Sequence, residues 1–217
     1  MNLPAHSKLL FIGDSITHAC RAETGESCAW EANGGLGQGY VSMVQAWLSA
    51  AHPEAGIRVV NKGIGGHTVR DLAARWQTDV LDQQPDVLCI MIGINDVWRQ
   101  FDSPLRPELS VGLEEYAETL EKLLLLSKLA PASIYLATPF FIDPNRADAM
   151  RARMDEYGEI VRQTAAKHGT NFVDTQAAFE PVLAHFHSAA LAWDRVHPSP
   201  AGHMVIARAF LKAFASI

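Results

Sequence analysis

Five short, nearly continuous apolar runs recur along the chain, with stretches of helical spacing between them and after the last: Lys8 to Ile12, Ile57 to Asn61, Val87 to Ile92, Ser133 to Ala137 and Asn171 to Val173. Runs of this kind lack the alternation of a strand with one wet face and suit a parallel sheet covered on both sides. The stretches Gly39 to Ala51, Thr68 to Gln83, Leu113 to Leu129, Ala147 to His168 and Ala201 to Ala215 carry apolar residues at helical spacing. Strand and helix in alternation predict a doubly wound α/β sandwich. Thr68 with Asp71 three residues later resembles a capping box, and Pro200 precedes the last helix.

No linker or shift in composition divides the sequence, so residues 1–217 are read as one domain, and 48% hydrophobic residues are ample for its core. The widest irregular stretches, Ala19 to Gln38 and Arg99 to Gly112, are candidates for pocket walls or subunit contacts, and a homo-oligomer is compatible with the sequence. A net charge of −6 with both signs interspersed offers no basic stripe for nucleic acid. No apolar run approaches the roughly 20 residues of a membrane span. The residues from Met1 lack a signal-peptide pattern, so a cytoplasmic setting is expected. Cys20, Cys28 and Cys89 are read as reduced thiols, Cys89 as a buried strand residue; Cys20 and Cys28 flank a polar loop where a bridge is the alternative.

Four segments carry the chemistry: Gly13-Asp14-Ser15-Ile16-Thr17, Gly63-Ile64-Gly65-Gly66, Gly93-Ile94-Asn95-Asp96 and Asp194-Arg195-Val196-His197. The first three follow predicted strands, which places them at the carboxyl edge of the sheet, where sites in open α/β folds gather. A serine hydroxyl needs a base within hydrogen-bond reach, and His197 is the candidate for Ser15. Asp194, three residues before His197, can turn back onto the ring Nδ1–H. The backbone N–H groups of Ser15 and Gly66 and the amide of Asn95 are candidate oxyanion donors. The set predicts ester hydrolysis through an acyl-enzyme. It calls for no cofactor or metal, and none of the histidine spacings resembles a zinc site.

These blocks, in this order, resemble those of the SGNH (GDSL-like) hydrolase superfamily from Leu9 to about Phe210. Leu10 to Thr17, Arg58 to Ile64, Met91 to Gln100 and Ala192 to Pro198 are similar to a bacterial subgroup of acetylxylan esterases and carbohydrate O-acetyl esterases. The resemblance implies a flavodoxin-like three-layer α/β/α sandwich on a parallel five-stranded sheet. It also implies Ser15, Asp194 and His197 as triad, Gly66 and Asn95 in the oxyanion hole, and an acetylated sugar as substrate. Ile16 stands where Leu is usual, and Gly65-Gly66-His67 where relatives often have Ser-Gly-Asn.

Asp14 and Asp96 are read as loop anchors, since Asp binds backbone N–H groups in turns. His18 and His67 are the rival bases, and His203 is assigned a structural role. Asp14, His67, Trp98 and Trp193 are kept as candidate substrate contacts. The first expectation is thus a serine esterase that deacetylates xylo-oligosaccharides or related sugars. The second is a broad short-chain carboxylesterase, thioesterase or lysophospholipase on the same triad. A carbohydrate-binding module without catalysis is a third, disfavoured by the presence of both a base and an oxyanion amide.

Overall fold

The computed structural model describes residues 3–27, 34–128 and 133–215. In chain order the elements are β1 (Lys8–Gly13), α1 (Ser15–His18), α2 (Tyr40–Ala51), β2 (Arg58–Gly63), α3 (Val69–Ala74), β3 (Val87–Met91), α4 (Ile94–Asp102), α5 (Leu113–Ser127), β4 (Ser133–Ala137), α6 (Ala149–His168), β5 (Asn171–Val173), α7 (Thr175–Leu183), α8 (Ser188–Leu191) and α9 (Pro200–Ala215).

All four strand pairings are parallel and the order is β2-β1-β3-β4-β5. Every residue of β3 is buried, as are Leu9 to Gly13 of β1, which is why both read as unbroken apolar runs. Helices α2, α7 and α9 pack together, and α3, α5 and α6 form the other helical group. This is the three-layer sandwich expected from the sequence. In this strand order the direction of winding reverses between β1 and β3, opening a crevice beyond their carboxyl ends.

Several boundaries differ from expectation. The helix expected over Thr68 to Gln83 is interrupted: α3 stops at Ala74, Arg75 leaves helical geometry, and a π-helical turn covers Gln77–Leu81. The break buries Trp76 in the core and turns Arg75 toward the ends of β1 and β2. The stretch from Arg99 to Gly112 is not all loop, because α4 runs through Asp102 and a short turn follows at Pro107–Leu109. Helices α1, α4, α7 and α8 are not expected from the sequence; two of them, α1 and α8, span only four residues, too few for periodicity to register. The capping box at Thr68 and Asp71 is present. Leu129 and Cys28 lie outside the described residues, and with Cys28 the alternative of a Cys20–Cys28 bridge. Cys20 is exposed and Cys89 buried, both as free thiols. Among the described residues no helix is long and apolar enough to cross a membrane.

Candidate active site

Asp14, directly after β1, caps α1 by accepting the N–H of Ile16 at 2.9 Å, which sets Ser15 as the first residue of the helix. Beneath it lies a polar scaffold. Asn61, fully buried in β2, donates to the carbonyls of Thr17 and Leu36 at 2.7 and 2.8 Å and accepts the N–H of Gly63 at 2.8 Å. Thr17 and Tyr40 share a hydrogen bond at 2.9 Å. Arg75 donates to the carbonyls of Gly13 and Lys62 at 2.9 and 2.7 Å, clamping the ends of two strands.

The Asp194–His197 turn folds over this edge. Arg195 adopts a left-handed backbone, φ 65°, a conformation costing about 1–3 kcal/mol outside glycine. It is held there from three sides. Its carbonyl accepts the N–H of Ile142 at 2.9 Å, its guanidinium pairs with Asp143 at 2.8 Å and Asp148 at 3.4 Å, and it lies 4.8 Å from the Phe141 ring centre. The turn brings His197 Nε2 to 3.0 Å from Ser15 Oγ and Nδ1 to 2.6 Å from Asp194 Oδ2. A carboxylate opposite Nδ1 assigns the ring proton to that nitrogen and leaves Nε2 as the acceptor for the serine hydroxyl. Burial raises the Asp194 carboxyl, but the His197 ring and the backbone N–H groups of His197 and Val196 outweigh it and hold the group below the usual range. The imidazole side chain is 42% exposed while that of Asp194 is 10% exposed, so the ring is the more accessible of the pair.

The two remaining blocks meet beside Ser15. Gly66, φ 79°, sits in open space, and a methyl group on Gly65 would lie 4.0 Å from Ser15 Cβ. Gly93, φ 132°, lets α4 begin at once after the end of β3; a side chain there would strike Pro139 and Tyr116. Asn95 falls in the first turn of α4 and donates from Nδ2 to the carbonyl of His67 at 3.0 Å, so the β2–α3 loop and α4 are tied together at this point.

The structure sorts the remaining candidates. Asp14 lies under the site, 2% exposed, and acts as a helix cap and not as a surface for substrate. Burial pushes its carboxyl up to about 7, against the pull of the Ile16 N–H and of His197. Asp96 is fully buried, anchors the N–H of Val69 at 3.0 Å, and is likewise raised to about 7, by burial and by Asp14 and Asp71. His67 is half-buried, and its Nδ1 accepts from Arg75 at 3.1 Å. Burial and the Arg75 charge lower its pKa, which favours the neutral ring. His18 accepts the N–H of Cys20 and pairs with no carboxylate in the described structure. His203 accepts the N–H of Tyr40, and burial pulls it down to about 4, in keeping with a structural role. Trp98 places its ring 5.6 Å from that of His197, edge-on, while Trp193 is 82% exposed.

A cavity of about 360 Å³ opens beside Asp194, lined among others by Trp98, Phe101, Phe141, Met150 and Arg195. Another, of about 290 Å³ between α6 and α7, touches none of the four blocks. Among the described residues no group of three or more His, Cys, Asp or Glu side chains is placed to hold a metal ion. The sequence alone does not mark the scaffold residues Asn61, Arg75 and the Asp143–Asp148 clamp as part of the site. The two available signals are an asparagine in a predicted buried strand and an arginine at a predicted helix's centre.

The model of the GDSL-like Lipase/Acylhydrolase family matches residues 11–205. The chain belongs to this family. It is an ester hydrolase by that membership and by its likeness to characterised relatives. An acetylxylan esterase of Geobacillus stearothermophilus is 56% identical over 212 residues, covering 98% of this chain and 95% of that protein. The crystal structure of that organism's acetylxylan esterase Axe2 matches with a TM-score of 0.96 at 55% identity, over 100% of this chain and 98% of the other. LAE5, an alpha/beta hydrolase enzyme from the metagenome of Lake Arreo, Spain, matches with a TM-score of 0.95 at 51% identity, over 99% and 98% of the two chains.

Proposed function

We propose that this protein removes O-acetyl groups from acetylated xylo-oligosaccharides or related sugars, with Ser15 as nucleophile. The observation that carries the reaction is the continuous hydrogen-bonded line from Ser15 Oγ through His197 to Asp194. The substrate class rests on the likeness to the Geobacillus acetylxylan esterase. Catalytic mutants of that enzyme replace a serine, a histidine and an aspartate by alanine, the three residue types joined here.

In the forward step Ser15 Oγ attacks the acetyl carbonyl carbon as its proton passes to His197 Nε2. Negative charge builds on the carbonyl oxygen, where the N–H groups of Ser15 and Gly66 and the Asn95 amide donate to it. Asp194 stabilises the imidazolium. Collapse breaks the bond to the sugar oxygen, which takes the proton from His197 and leaves as the free hydroxyl. Water then attacks the acetyl-Ser15 ester with His197 again as base, releasing acetate and restoring the serine. His67 and Trp98 are the proposed sugar contacts: Trp98 lines the cavity beside Asp194, and His67 adjoins the Gly65-Gly66 segment. The free thiols Cys20 and Cys89 fit a reducing, cytoplasmic setting. Self-association is part of the proposal, and light scattering reads it directly.

Acetate release from acetylated xylo-oligosaccharides, run beside p-nitrophenyl acetate and butyrate with Ser15→Ala as blank, tests the reading. Release from the sugar that is lost in Ser15→Ala is the expected result. Hydrolysis of the small esters alone would retain Ser15 and His197 and move the substrate to another short acyl ester.

A further inference from the structure

The two ends of the Asn95 amide are alike in shape and opposite in chemistry, and its neighbours decide which end faces where. Its Oδ1 lies 3.1 Å from Nη2 of Arg99, a group that only donates. Its Nδ2 lies 3.0 Å from the carbonyl oxygen of His67, a group that only accepts. A flipped amide would set NH₂ against guanidinium and oxygen against oxygen. Asn95 is 2% exposed, so water is not at hand to relieve either mismatch. In this orientation His67 takes one of the two N–H bonds, and among the described residues the second has no acceptor, which leaves it to donate.

We propose that Arg99 is a positioning residue for ester hydrolysis, fixing and polarising the Asn95 amide as an oxyanion donor. The inference rests on the role given to Asn95 above. The contact is built into α4, because residues four apart share a helix face. Arg99 is itself held: its other terminal nitrogen pairs with Asp102, and its guanidinium lies 5.0 Å from the Trp98 ring centre. Trp98 in turn meets the edge of His197, so one stretch of helix steadies both the base and the oxyanion donor. A cation on Oδ1 also draws electron density from the amide and strengthens its free N–H as a donor, more so in a site shielded from water.

The test is a double-mutant cycle of Arg99→Ala and Asn95→Ala on p-nitrophenyl acetate, with Arg99→Lys as the conservative variant and thermal unfolding measured on each. Arg99→Ala is expected to lower kcat about 10- to 100-fold with KM within about twofold, the scale of a displaced catalytic contact. Arg99→Lys should recover part of that loss, and Arg99→Ala should cost little more once Asn95 is already alanine. Equal losses in both backgrounds, a rise confined to KM, or unchanged kcat in Arg99→Ala would overturn the assignment. If Asn95→Ala alone leaves kcat unchanged, the oxyanion role of Asn95 fails first. If Asn95→Ala is slow and Arg99→Ala is not, only the present inference fails.

Discussion

Asp194 holds His197 twice: Oδ2 meets the ring Nδ1 at 2.6 Å, and Oδ1 accepts the backbone N–H of the same residue at 2.8 Å. One oxygen orients the imidazole while the other shapes the turn that delivers it. The two functions separate by mutation. In Asp194→Asn the amide oxygen can keep the backbone bonds to Val196 and His197, but an NH₂ opposite Nδ1 drives the ring proton to Nε2, where it blocks acceptance from Ser15. Turnover should fall on the order of 10⁴-fold with little change in thermal midpoint. Asp194→Ala should lose the turn as well and unfold at lower temperature. Steady-state kinetics with calorimetry on both variants check this, and a tenfold effect or less in Asp194→Asn would remove Asp194 from the triad.

The glycines around Ser15 differ in what they tolerate. A methyl group at Gly66 meets nothing within 4 Å, and its only penalty is the left-handed backbone, about 1–2 kcal/mol. At Gly63 it would lie 2.2 Å from the backbone nitrogen of His18. Gly66→Ala should therefore fold with a modest loss of stability and lose turnover, because relaxing φ swings its N–H off the oxyanion. Gly63→Ala should fold poorly or not at all. Soluble yield and melting temperature of the pair, with kcat for Gly66→Ala, decide the matter; full activity in Gly66→Ala would take its N–H out of the site.

Asp96 links burial to pH. Its folded pKa of about 7 stands above the ordinary carboxylate value of 3.8, so the native state binds a proton that the unfolded chain has released. Stability from this group is present below the unfolded value, declines as pH rises through the interval up to about 7, and stays low above it. Between pH 5 and 7 the decline amounts to about 2 kcal/mol. The groups around Asp96 include the Val69 N–H, Asp14 and Asp71, and its charge also acts on Arg70, Tyr116 and Tyr157. Its Oδ2 has no hydrogen-bond partner in the described structure. Asp96→Asn keeps the acceptor for Val69 and removes the titration. Urea unfolding from pH 5 to 8 should show the variant gaining on the parent as pH rises; parallel curves would show that Asp96 does not titrate there.

Ser15, Asn95, Asp194 and His197 were legible in the sequence because chemistry restricts each to a narrow residue type in a short block at a strand end. The apolar runs reveal the sheet because strands covered on both faces, β1 and β3 above all, are built almost wholly of apolar residues. What stayed hidden depends on contacts between distant parts of the chain. Arg75 occupies the centre of a predicted helix, and only the strand ends it clamps explain why the helix breaks there. Helix α4 has no counterpart in the sequence reading, which places its last four residues, Arg99 to Asp102, in an irregular stretch, because buried Asn95 and Asp96 interrupt the apolar Ile94 and Val97 within only nine residues. Trp98 and Trp193 looked equivalent in sequence, yet one touches His197 and the other projects outward.

Asn61 joins the fold to the site most directly. Its amide satisfies the Thr17 carbonyl of α1, the Leu36 carbonyl of the preceding loop and the Gly63 N–H at the end of β2, all away from water. Replacing it by alanine strands these three groups, and the loss should be about 3 kcal/mol, since a buried unpaired polar group costs about 1–3 kcal/mol and part of the deficit relaxes. For a chain of this size that corresponds to roughly 6–12 °C in thermal midpoint. Asn61→Leu restores the volume without the hydrogen bonds and separates packing from polar satisfaction. If Asn61→Leu melts near Asn61→Ala, the hydrogen bonds hold α1 to β2. If it recovers the parent midpoint, the side chain's bulk was what mattered. At a temperature where both variants remain folded, turnover should still be reduced, because α1 begins with Ser15 and the Thr17 carbonyl no longer has the partner that fixes the helix against the sheet.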